Sequence, residues 1–595
     1  MNQRNIRNFA IIAHIDHGKS TLADQIMALT KTVSTREQRA QLLDDMAVEQ
    51  AHGVTVKART VRNYYQAEDG QEYEYNLIDT PGHVDFNYEV AKSLSATEGA
   101  ILLVDATQGV QAQTIANYRI AKKHHLPLIP VLNKVDLASA DIEAALAELH
   151  DLDSAFTPDQ VLLISAKTGQ GVPAVLEAIR TRLPAPTGDA AAPLKALVFD
   201  SLYDPYQGVI AYVRLIDGQL KSPQALNLMA ADCHFTSKSI GVMTPNMLPQ
   251  TNLHAGDVGY VVTGIKDPKQ IRVGDTLTSA ETPTSQPLPG YEPAKSMVFA
   301  GLYPQNNDFP ALKAAVQKLN LNDPSFTFVE ERSEALGVGF RCGFLGAFHL
   351  QIIRERLQDE YGIDVLTTAP NVTYHVTLKN GQHVVVNNPV QFPAFSLIEH
   401  VEEPFMKAEI TTPDASLNAV LKLAEQHKGT LIDLSNNGEL VVAVVKIPLS
   451  EIASHFFSEL KSVSHGFASL NTTFYDNEVS DLVKVEVDIN YAPVDALTFV
   501  VHREDAPQMT QQLVIGLKST VPRQLYPTPV QAIVEGKVLA RVDVPPLRKN
   551  AAVNGDKHSV SKKAALLRRQ SANKRRATKN TIKLPQSVFN TILGI

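Results

Sequence analysis

The sequence predicts a multidomain chain of mixed α/β and β structure. Its length, its changing pattern of apolar and polar residues and its linkers each support this. Its 595 residues are enough for about four or five domains. Apolar runs alternate with amphipathic stretches over residues 1–185, whereas short strands broken by Gly, Pro and Asp fill residues 190–282. Proline-containing linkers at 183–189 and 283–293 separate these regions from each other and from the rest of the chain.

Residues 1–185 have the pattern of an α/β domain with a mostly parallel sheet. The predicted strands are Phe9–Ala13, Tyr75–Ile78, Ala100–Asp105, Pro127–Asn133 and Val161–Ser165. The predicted helices are Thr21–Leu29, Asp85–Ala96, Thr114–His124 and Ile142–His150. The alternation of the two kinds of segment predicts a first domain over residues 1–185.

Four further units are predicted. Residues 190–282 have the alternation of a small antiparallel β-barrel. Residues 294–375 and 395–480 each combine strands with two helices, so each is predicted to be a compact α+β unit. Residues 481–595 begin with strands and end in a basic block.

Composition favours a protein of a reducing compartment. The two cysteines, Cys233 and Cys342, lie far apart and form no ligand-spaced pair. The sequence shows neither the features of a signal peptide nor an apolar run of about 18 residues. We therefore expect a cytoplasmic protein.

Charge is unevenly distributed along the chain. Residues 548–583 hold twelve Lys and Arg and one Asp, a net charge of +11. Because the whole chain carries −8, the remainder carries −8 − 11 = −19. Such a block predicts a polyanionic partner. The alternatives are a solvated tail and a basic helix on an anionic membrane surface.

A phosphate-binding loop is predicted after the first strand, where Ala13-His-Ile-Asp-His-Gly-Lys-Ser-Thr21 opens a helix. Backbone N–H groups of such a loop surround phosphate oxygens, the Lys19 ammonium reaches the β- and γ-phosphates, and the Ser20 hydroxyl binds Mg²⁺. The alternative is a chance Gly-Lys-Ser in a strand–helix turn. The nucleotide-binding residues predicted here are Asp16, His17, Gly18, Lys19, Ser20 and Thr21.

A second motif, Asp79-Thr-Pro-Gly-His83, follows the strand Tyr75–Ile78. Asp79 is predicted to belong to the Mg²⁺ shell, the Gly82 N–H to contact the γ-phosphate, and His83 to orient the attacking water. The alternative is a turn in which Pro81 and Gly82 have only a backbone role.

Two further motifs select the base. Asp136 of Asn133-Lys-Val-Asp136 can accept hydrogen bonds from guanine N1–H and its amine, whereas adenine would leave a buried carboxylate unpaired. This predicts GTP rather than ATP. Backbone donors of Ser165-Ala-Lys167 are predicted to bind the guanine carbonyl. The predicted base-side residues are Asn133, Lys134, Val135, Asp136, Ser165, Ala166 and Lys167.

Residues 31–53 lack a stable hydrophobic period and are interpreted as a switch segment ordered only by the γ-phosphate and Mg²⁺. Thr55 is the candidate to close over the metal; the alternative is a threonine in an ordinary strand. The predicted metal ligands are therefore Ser20, Thr55 and Asp79.

These motifs resemble those of the ribosome-associated translational GTPases, in which a histidine follows Pro-Gly. The resemblance implies that His83 is the catalytic histidine and that two split-βαβ (ferredoxin-like) domains follow the barrel. Because only residues 376–394 separate the two α+β units, the chain resembles the LepA (elongation factor 4) family rather than elongation factor G. The stretches that carry this match are Gly337–Gly346, Thr368–Pro370, Leu397–Pro404, Lys461–Ser469 and Pro522–Gln524.

The resemblance implies a factor that hydrolyses GTP on the ribosome, contacting both subunits, large-subunit rRNA and tRNA. It implies a translation fidelity factor that promotes one-codon back-translocation of tRNAs on improperly translocated ribosomes, or a fidelity or assembly role, under stress. It also implies peripheral contact with the inner face of the cell membrane. We expect no DNA partner and a monomer. The alternatives are a GTP-switched binding module with incidental hydrolysis, and a ribosome-binding or assembly factor of the BipA type.

Three stretches depart from the family pattern. The switch segment ends His52-Gly-Val-Thr55 where the family has Arg-Gly-Ile-Thr, and His427-Lys428-Gly429 replaces a basic doublet before glycine. A Lys-Cys-Tyr-Gly-Gly-Asp stretch is replaced by residues 551–558. We interpret these departures as those of a diverged, second-copy member with altered ribosome and tRNA contacts.

Overall fold

The computed structural model describes residues 2–33, 42–44, 46–52, 55–81, 86–267, 270–289, 296–306, 308–323, 325–437, 440–464, 468–524, 526–547, 584–585 and 588–589. Among these residues, no helix combines the length and apolar character needed to cross a membrane.

The first unit is a six-stranded sheet with strand order β2-β3-β1-β4-β5-β6. Its strands are β1 Ile6–Ala13, β2 Arg59–Gln66, β3 Glu72–Asp79, β4 Gly99–Asp105, β5 Leu128–Asn133 and β6 Leu162–Leu163. Its helices are α1 Lys19–Leu29, α2 Ala47–His52, α3 Asn87–Ser95, α4 Ala112–Lys123, α5 Ile142–Leu152 and α6 Val172–Arg182. All pairs are parallel except β2 with β3. Sequence reasoning predicted the parallel strands but missed β2, α2 and α6.

Burial on both faces of the sheet explains its apolar strands. Along β1, Phe9 and Ile11 pack in one core with α1 and α6, whereas Ala10 and Ile12 pack in a second core with α3 and α4. Successive side chains of a strand point to opposite faces, so a strand covered on both sides reads as a continuous apolar run. Parallel strands that end at one edge bring their following loops together there.

The second unit is antiparallel. Its strands are β7 Lys195–Asp204, β8 Gly208–Asp217, β9 Gln219–Lys221, β10 Ala225–Leu228, β11 Cys233–Thr236, β12 Ser239–Thr244, β13 Asn246–Gln250, β14 Asn252–His254, β15 Val258–Val262 and β16 Thr276–Ser279. Eight of them form one sheet of order β11-β10-β16-β7-β8-β15-β12-β13, and β9 pairs with β14.

The third unit has the βαββαβ order of a ferredoxin-like fold. Its elements are β17 Val298–Pro304, α7 Phe309–Asn322, β18 Thr327–Ser333, β19 Gly337–Phe344, α8 Ala347–Tyr361 and β20 Val365–Thr367. The strand order is β18-β19-β17-β20, and every pair is antiparallel.

The fourth unit repeats this order and adds a hairpin. Its elements are β21 Tyr374–Leu378, β22 His383–Val386, β23 Ile398–Pro413, α9 Asp414–Gln426, β24 Thr430–Asn437, β25 Leu440–Pro448, α10 Leu449–Glu451, a π-helix Ile452–Phe456, α11 Phe457–Val463 and β26 Ser469–Ser480. The hairpin β21–β22 pairs with β23, so residues between the two predicted α+β units lie in the sheet of the later one.

The last unit is a sheet of order β28-β27-β30-β31, with β29 also paired to β27. Its elements are β27 Leu482–Ile489, β28 Ala492–Pro493, β29 Phe499–His502, α12 Ala506–Thr520, β30 Thr528–Val534 and β31 Lys537–Val544. Val588 and Phe589, which follow the basic block, are buried in the same core as Val544. The block, predicted as a tail, therefore has both flanks packed in one core; residues 548–583 themselves lie outside the described residues.

Candidate nucleotide site

The phosphate loop lies between β1 and α1. Asp16 has a φ of 63° and Gly18 a φ of 94°. A Cβ atom at Gly18 would lie 2.4 Å from Asn133 Nδ2, so both the backbone angle and the available space require glycine there. Ala13, the departure from the usual glycine, is buried at the end of β1. The N-terminus of α1, which begins at Lys19, therefore adjoins a tight turn suited to binding phosphate.

Asn133 connects three motifs that are far apart in sequence. Its Nδ2 donates to His17 O at 2.8 Å, across 116 positions. Its Oδ1 accepts a hydrogen bond from Ala166 N at 2.8 Å. The amide that sequence reasoning assigned to the guanine carbonyl is thus engaged with Asn133, and the three predicted loops meet at one edge of the sheet.

Lys134 secures the phosphate loop from the base side. Its Nζ donates to Asp16 O at 2.7 Å and pairs with Asp105 Oδ2 at 2.7 Å. Asp105 is buried at the end of β4, and the Lys134 ammonium helps to lower the pKa of its carboxyl against the opposing effect of burial. The lysine of this motif therefore links the phosphate loop to the end of β4.

The other predicted base-side residues differ in exposure. Ser165 is buried, and its Oγ accepts from Thr168 N at 3.2 Å. Asp136 and Lys167 are exposed. Selection of guanine over adenine by an unpaired carboxylate requires that the carboxylate be buried, whereas Asp136 lies at the surface, where an unpaired carboxylate is tolerated. Val135 is half-buried, and Thr21 is exposed in the first turn of α1.

His17 is fully buried beneath the phosphate loop. Its Nδ1 accepts a hydrogen bond from Asp105 N at 3.3 Å. Burial lowers the pKa of His17 to about 4, so the ring is neutral at neutral pH. A neutral ring can occupy this buried space without a counter-charge. The backbone carbonyl of His17 accepts the hydrogen bond from Asn133.

Lys19 is the centre of the predicted metal side. Its Nζ donates to Asp79 Oδ1 at 2.7 Å and to Thr55 Oγ1 at 2.6 Å. Burial raises the pKa of the Asp79 carboxyl, and the Lys19 ammonium opposes that shift. Lys19 thus compensates a carboxylate that is completely enclosed.

Asp44 completes this group and was missed by sequence reasoning. It is buried; its Oδ2 accepts from Ser20 Oγ at 2.7 Å and its Oδ1 from Thr55 Oγ1 at 2.8 Å. All three predicted metal ligands therefore lie in one hydrogen-bonded group with Asp44 and Lys19. Hydroxyl and carboxylate oxygens are ligands that Mg²⁺ prefers, so the residues present fit this ion.

The switch segment has more structure than expected. Residues 47–52 form α2, and Val48 packs with Phe86 and with Ile352 of α8. His52 Nε2 lies 2.6 Å from Glu355 Oε2, also on α8. The expectation that nucleotide alone orders this segment is wrong for α2, because a distant unit supplies its packing. Pattern analysis missed this because the partner lies about 300 positions away.

The second motif is described only in part. Thr80 donates through Oγ1 to Ile11 O at 2.7 Å, which holds the end of β3 against β1. Gly82 and His83 lie outside the described residues, so their predicted contacts with the γ-phosphate and the water remain predictions.

Family models match four separate parts of the chain. Family models match at residues 4–185 (elongation factor Tu GTP binding domain), 208–278 (elongation factor Tu domain 2), 400–487 (elongation factor G C-terminus) and 489–594 (GTP-binding protein LepA C-terminus). The predicted combination of an α/β GTPase domain, a barrel-like unit and mixed α/β units is thereby confirmed.

Whole-chain relatives identify the family. Over 595 residues the chain is 84% identical to "Elongation factor 4 2" of Lactiplantibacillus plantarum, covering 100% of both proteins. It is 46% identical to "Elongation factor 4" of Staphylococcus epidermidis (99% and 98% covered) and 44% identical to that of Aquifex aeolicus (100% of both). The chain belongs to the elongation factor 4 family.

Membership in the elongation factor 4 family makes this chain a translational GTPase that binds GTP and GDP, and it implies interaction with the ribosome. A solved structure from Thermus thermophilus shares the fold at a TM-score of 0.59, with 20% identity over 80% of this chain and 97% of the other. Two departures from the elongation factor 4 pattern have identified contacts: His52 pairs with Glu355 of the third unit, and His427 lies beside Glu451 within the fourth unit.

Proposed function

We propose that this elongation factor 4 is a ribosome-dependent GTP hydrolase that promotes one-codon back-translocation of tRNAs on improperly translocated ribosomes under stress. The observation that carries the catalytic part is the convergence of Lys19, Ser20, Thr55 and Asp79 in one buried group. The part that concerns tRNA rests on family membership and on the LepA C-terminal match.

On the phosphate side, Lys19 exchanges Asp79 for phosphate oxygens and stabilises the negative charge of the transferred phosphoryl group. Ser20, Thr55 and Asp79 would hold Mg²⁺, which supplies further neutralisation of that charge. Because Asp44 accepts the hydroxyl hydrogens of Ser20 and Thr55, each hydroxyl oxygen keeps a lone pair for the metal, even though Thr55 Oγ1 also accepts from Lys19 Nζ.

At the reacting end, His83 orients the attacking water, and the Gly82 N–H contacts the γ-phosphate. On the base side, Asp136 accepts from guanine, and the Lys167 N–H donates to its carbonyl, because the Ser165 and Ala166 amides are bonded to Gln170 O and Asn133 Oδ1. Asn133, Lys134 and Val135 hold these loops in place. The backbone of Asp16, His17 and Gly18, with Thr21 in the first turn of α1, completes the phosphate cradle.

The partners we propose are both ribosomal subunits, large-subunit rRNA and tRNA, and the working form is a monomer in the cytoplasm. The net charge of +11 over residues 548–583 favours contact with nucleic-acid phosphates, which weakens as salt rises. The same charge would allow peripheral contact with an anionic membrane surface.

The hydrolytic proposal is tested with His83→Ala. Nucleotide affinity should stay near that of the unchanged protein, while ribosome-stimulated GTP hydrolysis should be abolished. His234→Ala, at an exposed barrel histidine, is the matched control and should keep both activities. Undiminished turnover by His83→Ala on ribosomes would refute the assignment.

A second candidate is a GTP-switched ribosome-binding or assembly factor of the BipA type. It is favoured by residues 551–558, which replace a stretch expected in elongation factor 4. Ribosomes carrying tRNAs in the post-translocation state distinguish the two. Backward movement of the tRNAs upon addition of the protein and GTP supports the first proposal, and stimulated hydrolysis without movement supports the second.

A further inference from the structure

A cluster of histidine and carboxylate side chains lies where the fourth unit meets the last one. Glu451 ends α10, His502 ends β29, and Asp505 precedes α12. One donor atom from each of these three residues lies within 4.8 Å of the other two. All three line a cavity of about 590 Å³. The cluster is remote in sequence from the nucleotide motifs, and the proposed hydrolysis does not use it.

The spacing within the cluster suits a shared cation. His502 Nδ1 and Glu451 Oε1 are 3.5 Å apart. This exceeds the usual hydrogen-bond range of about 2.7–3.2 Å. It is close to the edge of roughly 3.4 Å expected for a tetrahedral site with metal bonds of about 2.0–2.1 Å. The two atoms are thus placed more like neighbouring ligands than like a donor and its acceptor.

His502 is oriented by a second carboxylate. Its Nε2 lies 2.7 Å from Oε1 of Glu403, whose side chain is fully buried. An ionised carboxylate only accepts, so Nε2 carries a hydrogen toward Glu403. Nδ1 faces Glu451, and a metal ion would displace any proton that Nδ1 holds there. A carboxylate on the far nitrogen of a histidine is the outer partner that metal-binding histidines usually have.

The two carboxylates are also held by outer partners. His427 Nδ1 lies 2.9 Å from Glu451 Oε2, the oxygen that faces away from His502. Lys428 Nζ lies 2.8 Å from Asp505 Oδ2. Each of the three candidate ligands therefore has a neighbour that fixes its direction, and such neighbours raise affinity for a metal.

The local charge favours a cation. The carboxylates of this group outnumber its cationic side chains even when both histidines are protonated. The carboxylates are Glu403, Glu451, Glu459, Glu504 and Asp505, and the cationic groups are His427, Lys428 and His502. With Arg354, which also lines the cavity, five negative charges face four positive ones, so the surroundings carry a net negative charge that attracts a cation.

We propose that Glu451, His502 and Asp505 form a binding site for a divalent first-row transition-metal ion, with Zn²⁺ as the expected occupant. One imidazole nitrogen and two carboxylates suit Zn²⁺ better than Mg²⁺ or Ca²⁺, which prefer oxygen alone. Three protein ligands beside a cavity leave a fourth position for water. Because the ligands come from two units, the ion would hold the fourth unit against the last one.

The test uses the full chain saturated with GDP and millimolar Mg²⁺, so that the nucleotide site does not take up the probe. Zn²⁺ is titrated against a chromophoric chelator, and Co²⁺ is added separately as a spectroscopic probe. We expect one strong site per chain and a Co²⁺ visible spectrum typical of tetrahedral nitrogen and oxygen ligands. Asp505→Asn and His502→Gln should each weaken Zn²⁺ binding by about tenfold or more.

Asp481→Asn is the matched control, because Asp481 is a largely exposed carboxylate of the last unit that pairs with Arg503, the residue after His502. It should bind Zn²⁺ like the unchanged chain, whereas His502→Gln should also change the Co²⁺ spectrum. Asp505→Asn keeps the test valid if His502→Gln fails to fold, since the Asp505 side chain is 40% exposed. Absence of a strong site in the unchanged chain, or equal affinity in all three variants, would overturn the proposal.

Discussion

On the base side of the nucleotide site, side chains hold backbone atoms of the phosphate loop. On the phosphate side, the side chains bond to one another. Asn133 and Lys134 hold the backbone carbonyls of His17 and Asp16, contacts that nucleotide binding need not break. Lys19 instead bonds Asp79, a group predicted to hold the metal. We therefore predict that binding of phosphate and metal exchanges the partners of Lys19 and Asp79.

This difference separates the part of the site that sets affinity for both guanine nucleotides from the part that distinguishes GTP from GDP. A preformed base side contributes equally to GTP and GDP, since both carry guanine. An exchange of partners on the phosphate side depends on the γ-phosphate and the metal, so it is the part that distinguishes the two nucleotides. The switch helix α2 adds a mechanical link, because it packs on α8 of the third unit.

The largest expected effect is that of Asn133→Ala. It removes the bonds to His17 O and Ala166 N and leaves two buried groups unpaired, at a cost of about 3 kcal/mol. Affinity for GTP and GDP should fall equally, by roughly a hundredfold. Titration with fluorescent nucleotides measures this, with Asn227→Ala in the barrel as the control. A loss of affinity confined to GTP would contradict the assignment of the base side as the part that binds both nucleotides equally.

A smaller effect is expected from Asp44→Asn. An amide offers one acceptor oxygen where Ser20 and Thr55 need two, so one hydroxyl is misdirected. Mg²⁺ affinity of the GTP complex should fall about tenfold, as for loss of an outer partner. GDP affinity should change little.

This prediction is checked by measuring the rate of GTP release at increasing Mg²⁺ concentrations. Asp69→Asn is the control, because Asp69 is a carboxylate of the same unit that pairs with Arg180. Equal losses for GTP and GDP would show that the phosphate side is not the state-sensitive half.

The smallest effect is expected from protonation of His17. This residue belongs to the phosphate loop, and its backbone carbonyl accepts the hydrogen bond from Asn133 on the base side. Burial lowers its pKa to about 4, below the value of about 6.5 in an unfolded chain. The unfolded chain therefore binds the proton more readily, so the stability that this residue contributes is complete above pH 6.5 and is lost as pH falls toward 4. The His17 contribution to the free energy of unfolding should be about 0.8 kcal/mol lower at pH 6 than at pH 8.

Urea unfolding of the full chain, followed through a bound fluorescent GDP analogue, measures this decline. His17→Gln, which does not titrate, should lack the His17 share of it. An identical pH profile in the two proteins would contradict a buried neutral His17.

The sequence alone determined the phosphate loop, the base motif and the alternation of α and β segments. Each depends on local requirements, such as a positive φ at Gly18 or a polar residue at the end of a buried strand, and such requirements appear within a few neighbouring positions. The exchange of partners between Lys19 and Asp79 was not foreseen, although both residues were singled out.

Only the tertiary structure decided which distant side chains meet. Asp44 lies in a segment without hydrophobic period, and its role depends on reaching Ser20 and Thr55. His52 with Glu355, and Glu451 with His502, join units that separate stretches of chain encode. Packing of whole units sets these pairs, and no periodicity within one segment records the partner that another unit will bring to it.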